Sequence, residues 1–231
     1  MLNQIRLLRA VLPHEFRAAR TGPLYVAGAA ALVIAGAPAA FSVRLEAGAG
    51  IALMRIATVL GVAGLAFLLD DPAAHSTEVN PVPRWMRHLA RAAAGLAVLL
   101  PVWGVCATAL AHAVPGGADV LPLMDLAAEG GTLTLVCYAF ILLGLRLSAG
   151  VTGSVLAAPG LIILVVVLVS LPDTATFYAD PAGPGWEAAV RRWRWLALAA
   201  LAACALQIGR GWSSGLRRPI ATRARTASAR E

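Results

Sequence analysis

Residues 70–87 read DDPAAHSTEVNPVPRWMR, the one long polar passage inside an otherwise apolar first half. It separates two hydrophobic runs, 50–69 and 89–114. At 1.5 Å per helical residue, a run of about 20 residues crosses the ~30 Å hydrocarbon core of a bilayer. Two such runs joined by a polar connector predict membrane helices rather than a water-soluble globule. The connector has its own helical signals. Asp71 is placed to cap a helix opened by Pro72, where the missing N–H does no harm. That helix would run over 72–79 and stop at Pro81, which restricts Asn80. Pro83 then opens the next span, with Trp85, Arg84, Arg87 and Arg91 at interface level. The plain alternative is an ordinary loop with one helical turn.

Composition agrees with the membrane class. The chain of 231 residues is 59% hydrophobic and 13% charged, with mean hydropathy +0.76. All 19 basic residues are arginine, and with abundant Ala, Gly and Pro this points to a GC-rich bacterial genome. Arginine beside membrane spans follows the positive-inside rule, so no nucleic-acid partner is expected. Cys106, Cys137 and Cys204 all lie in apolar runs, with the number and spacing of packing residues rather than of a disulfide framework or a zinc site.

Outward from the connector the pattern predicts an all-α integral membrane protein with six transmembrane helices. Leu2, Ile5, Leu8, Leu12 and Phe16 alternate with Arg6, Arg9, Arg17 and Arg20, which makes 1–22 an amphipathic interfacial helix broken at Pro13. A signal peptide cut near Ala37-Pro38-Ala39 is the rival reading, but the basic segment is long for one. The six-helix domain covers 23–211, with spans near 23–42, 50–69, 89–114, 125–147, 155–171 and 193–208. Ala27, Ala31, Ala35 and Ala39 offer a small stripe for close packing in the first. Asp125 is placed to cap the fourth. Residues 172–192 form an outer cap, and 212–231 a basic tail. Fourteen arginines fall on the side holding both termini and the connector 70–88, against four on the other, with Arg55 inside span 2. Both termini are therefore expected in the cytoplasm, in a bacterial plasma membrane.

These features resemble the membrane subunit of ABC-2-type (type V) ABC exporters, small actinobacterial type. The likeness lies in the basic helix at 1–22, the short helix at 72–79 between spans 2 and 3, and the polar passage at 172–192. The run LDDPAAHSTEVNPVPRW, residues 69–85, is the sequence-like part. There is no GxxxxGK[ST] and no Lys, so ATP and Mg²⁺ would bind a separate ATPase subunit and this chain would hold no cofactor. The resemblance implies a second permease copy, as homodimer or heterodimer. It also implies a cytoplasmic coupling helix, with Asp70, Asp71, Pro72, His75, Thr77 and Glu78 facing the ATPase.

Among pathway or cap candidates, Arg55 is the costliest residue, although its position only a turn or so into span 2 allows it to snorkel outward. Trp186, Glu187 and Arg191 lie in the outer passage, where Glu187 and Arg191 are spaced to pair. The resemblance further implies short re-entrant helices there. Asp125 and Glu129 suit the positive end of span 4. No HExxH, intramembrane Gly-x-Ser-Gly or Asp-rich transferase motif occurs. Two other readings stay open. One is a stand-alone scaffold or regulatory anchor working through the basic tail. The other is a lipid-modifying enzyme, which would need Arg55, His112, Asp125 and Glu129 to converge.

Overall fold

The structure, a computed structural model, describes residues 21–70, 84–148 and 152–215, with side chains at 21–70, 88–148 and 152–208. The expected interfacial helix over residues 1–22, except for its last two residues, the connector from Asp71 to Pro83 and the tail beyond 215 lie outside the described residues. Within them the chain forms six helices and no strand. These are α1 (Gly22–Ala40), α2 (Ala47–Leu65), α3 (Arg84–Ala113), α4 (Leu123–Leu147), α5 (Ser154–Val169) and α6 (Trp186–Gly215). Two 3-10 turns, Gly117–Asp119 and Asp173–Ala175, interrupt the loops.

Four helices, α1 to α4, are long and apolar enough to cross a membrane. That corrects the expectation of six spans. Helix α5 is apolar throughout but has 16 residues, about 24 Å at 1.5 Å per residue. Helix α6 has 30 residues but opens with Glu187, Arg191, Arg192 and Arg194. It starts at Trp186 rather than Trp193 because good helix formers follow the Pro184-Gly185 break directly, and helix formation needs no apolar face. Helix α3 likewise starts at Arg84, directly after Pro83, rather than at Leu89. Helix α4 starts after Pro122, so Asp125 lies inside the first turn and makes no cap.

The helices pack as two sets of three. Helix α2 lies against α1 and α3, α4 lies against α5 and α6, and the sets meet where α2 packs on α4. Small residues allow this closeness, as expected where lipid offers no competing penalty. A Cβ on Gly64 would stand 2.9 Å from Leu24 Cα and 3.2 Å from the Pro23 carbonyl oxygen of α1. One on Gly144 would stand 2.6 Å from the Gly153 carbonyl oxygen, which is how the α4–α5 turn closes so tightly. The buried stripe of α1 is Leu24, Gly28, Ala31, Ala35 and Pro38. Ala31 and Ala35 belong to the expected stripe, whereas Ala27 and Ala39 flank it, since at 3.6 residues per turn a strict four-residue repeat drifts off the contact line.

Two apolar clusters fill the interior. Leu24, Val62, Leu65, Leu133, Ile141 and Leu161 join α1, α2, α4 and α5. Ala35, Ile51, Met54, Cys106, Leu110 and Leu126 join α1, α2, α3 and α4 towards the opposite end. Cys106, Cys137 and Cys204 are all buried and free.

Candidate functional site

The seam between the two helix sets carries two polar assemblies, one near each end. At the first, Arg55 of α2 meets Glu129 of α4. Arg55 Nε donates to Glu129 Oε2 at 2.9 Å and Nη2 donates to Oε1 at 2.8 Å, a bidentate fork. Only 16% of the Arg55 side chain and 7% of the Glu129 side chain are accessible. Arg55 therefore does not snorkel to the surface. Nor does Glu129 merely favour a helix end, because a carboxylate facing a guanidinium inside the seam gains more by pairing than by reaching headgroups.

Aromatic side chains close over this pair. The Arg55 guanidinium carbon sits 4.9 Å from the centre of the Tyr178 ring, a cation–π contact. Trp193 meets both Phe177 and Tyr178 edge to face, with ring centres 5.4 and 5.5 Å apart. Its indole N–H donates to the Phe177 carbonyl at 2.8 Å. Arg192 donates to the Thr176 and Thr174 carbonyls at 2.7 and 2.6 Å. Helix α6 thus holds residues 174–178 down onto α2. Burial pushes the Tyr178 hydroxyl up to about 12, with Glu129 adding to the shift and Arg55 opposing it. That hydroxyl is buried and makes no hydrogen bond among the described residues. One turn deeper, Trp103 of α3 donates to Thr58 Oγ1 at 3.2 Å, and Thr58 donates to the Met54 carbonyl at 2.8 Å.

The expected cap residues fare differently. Arg55 is joined to the cap, but through Tyr178. Glu187 and Arg191 are exposed at the start of α6 and form no ion pair with each other. Trp186 is half-buried at the head of α6, and Trp193 does the stacking. In place of re-entrant helices, 172–185 contains a single 3-10 turn. Arg55 and Glu129 converge, whereas His112 is exposed at the end of α3 and is not brought to them.

At the other end, Asp70 leaves α2 with 2% of its surface accessible. Its Oδ1 accepts from the Gly153 and Ser154 amides at 2.7 and 3.0 Å, and its Oδ2 accepts from Ser154 Oγ at 2.5 Å. A carboxylate on the free amides of a helix start satisfies orphan donors and the positive end of the dipole. Asp70 therefore caps α5 from across the seam. The Asp70 carboxylate is thus taken up inside the bundle by the start of α5. Asp71, Pro72, His75, Thr77 and Glu78 lie outside the described residues. Arg91, near the start of α3, donates to the Asp70 carbonyl at 3.4 Å, and Tyr138 of α4 donates to the Ala92 carbonyl at 3.1 Å. Four helices meet at this node.

Neither end was legible as a cluster in the sequence, although matching depth was a usable signal: Arg55 and Glu129 each lie about two turns past the starts of α2 and α4. No family model matches the chain, and no curated protein or solved structure is similar to it.

Proposed function

We propose that this chain is the membrane-spanning permease subunit of an ATP-driven exporter, coupling a separate ATPase to alternating access. The observation that carries this reading is the Asp70 node. The connector 71–83 leaves α2 at Asp70 and enters α3 at Arg84. The Asp70 carbonyl accepts from Arg91, two turns into α3, and the Asp70 carboxylate is bonded to the start of α5. A displacement of the connector by an ATPase would reach α2, α3 and α5 at once, and α4 through Tyr138. The Arg55–Glu129 pair, at the opposite end of the same seam, would be the contact that such a displacement breaks. The transition is a shift between two helix packings, biased by the partner.

In this reading the bundle lies in the bacterial plasma membrane, crossed by α1 to α4, with α5 and α6 packed on α4. Both termini are cytoplasmic, and a second permease copy completes the pathway. ATP and Mg²⁺ sit on the ATPase, and this chain is not itself an enzyme. The test is co-expression with any nucleotide-binding protein encoded beside its gene, followed by purification in detergent. A complex is expected whose ATP hydrolysis rate changes in Asp70→Ala. If no ATPase associates, the reading fails.

A further inference from the structure

The surroundings of Arg55 have the chemistry of a cation site that the protein fills with its own side chain. Glu129 supplies a carboxylate buried in the seam, and Tyr178 supplies an aromatic face at 4.9 Å. A cation beside a carboxylate and over a ring is attracted by both charge and quadrupole. The wider end of the bundle is also negative. Residues 41–55, 112–129 and 170–194 hold seven carboxylates against five arginines, a balance that concentrates cations there. The buried Tyr178 hydroxyl, unbonded among the described residues, is a polar atom that the resident pair leaves unused.

From this geometry we infer that Glu129 and the Tyr178 ring form a binding site for an organic cation with an apolar body, and that Arg55 is the resident competitor for it. Exchange is the feasible route. Opening the Arg55–Glu129 pair alone would strand a buried carboxylate, which is costly, whereas trading one cation for another never leaves Glu129 unpaired. Arg55 has a long flexible stem and is partly accessible, so it can swing to the near end of the bundle when displaced. Trp193, packed edge to face on Tyr178, holds that ring in place and makes the site's surroundings apolar. Naming such cations as cargo rests on the permease reading. The binding site does not.

The test is equilibrium binding of tetraphenylphosphonium to the purified full chain in nanodiscs of zwitterionic lipid, without ATPase. Removing the competitor should tighten binding, so Arg55→Gln is expected to lower Kd by about tenfold. Glu129→Gln should abolish saturable binding, and Tyr178→Leu should weaken it severalfold. If Glu129→Gln fails to fold, the double variant Arg55→Gln/Glu129→Gln, which strands no charge, must show the same loss. Binding that is unchanged or weaker in Arg55→Gln overturns the inference. So does saturable binding of decanoate that disappears in Arg55→Gln, which would mark an anion site instead. Because the assay contains no ATPase, its failure is separate from failure of the exporter reading.

Discussion

Arg55 and Glu129, 74 positions apart in the chain, meet inside the bundle through two parallel hydrogen bonds of 2.9 and 2.8 Å. They lie on α2 and α4, which pack against each other between the two sets of helices. An ion pair removed from water returns little net stability, yet stranding one partner is expensive. Arg55→Met or Glu129→Leu alone should each destabilise the protein by about 3–5 kcal/mol. The double variant should recover most of that loss. Thermal unfolding in detergent across the four-member cycle measures the coupling, and additive losses would show that the two residues act independently.

Asp70 is expected to matter through α5. Asp70→Ala removes the acceptor for two amides and the Ser154 hydroxyl, and loss of a helix cap costs about 1–2 kcal/mol. Ser154→Ala keeps both amide bonds and should cost less. Hydrogen exchange is the direct measurement: the Gly153 and Ser154 amides should exchange faster in Asp70→Ala, while amides in the middle of α4 stay protected.

The apolar runs, their helical character and the polar connector could be read from the residues alone, because hydropathy and capping are local properties. The seam could not. Arg55 and Glu129 each had an adequate local explanation, snorkelling for one and the helix dipole for the other, and nothing along the chain links them. Asp70 read as part of a polar loop because its acceptors' partners, Gly153 and Ser154, lie 83 and 84 positions away. Tyr178 gave no signal beyond its aromatic neighbours, which suit an interfacial belt equally well. The number of crossing helices went astray where length and apolarity part company. Helix α5 is apolar but short, and α6 is long but charged at its head.

Close backbone approach at Gly144 gives a sharp contrast. A methyl group there would meet the Gly153 carbonyl oxygen at 2.6 Å, and backbone cannot move aside as a side chain can. Gly144→Ala should destabilise by about 1–3 kcal/mol, the range for overpacking. Gly36→Ala and Gly104→Ala add a methyl where nothing stands within 4 Å. Both should be neutral or gain up to about 1 kcal/mol from helix propensity. Comparing the three melting temperatures checks the packing of the α4–α5 turn.

Tyr178 supplies a pH signature. Its hydroxyl is raised from 10.0 to about 12, so the folded protein holds that proton more tightly than the unfolded chain. The contribution is complete below pH 10 and is lost as pH rises through about 12. Ultraviolet titration of the folded protein should show one more phenol still largely protonated at pH 11 than the same titration of Tyr178→Phe. A phenol of ordinary titration in its place would mean that residues 174–178 do not seat on α2.

The connector and the basic tail separate the exporter from a membrane anchor. The decisive measurement is retention of the separate ATPase by the purified chain after deleting residues 72–79 or, in parallel, 212–231. The exporter account predicts that the ATPase is lost with 72–79 and retained without the tail. An ATPase that stays bound when 72–79 is removed, or that leaves only with the tail, would contradict it.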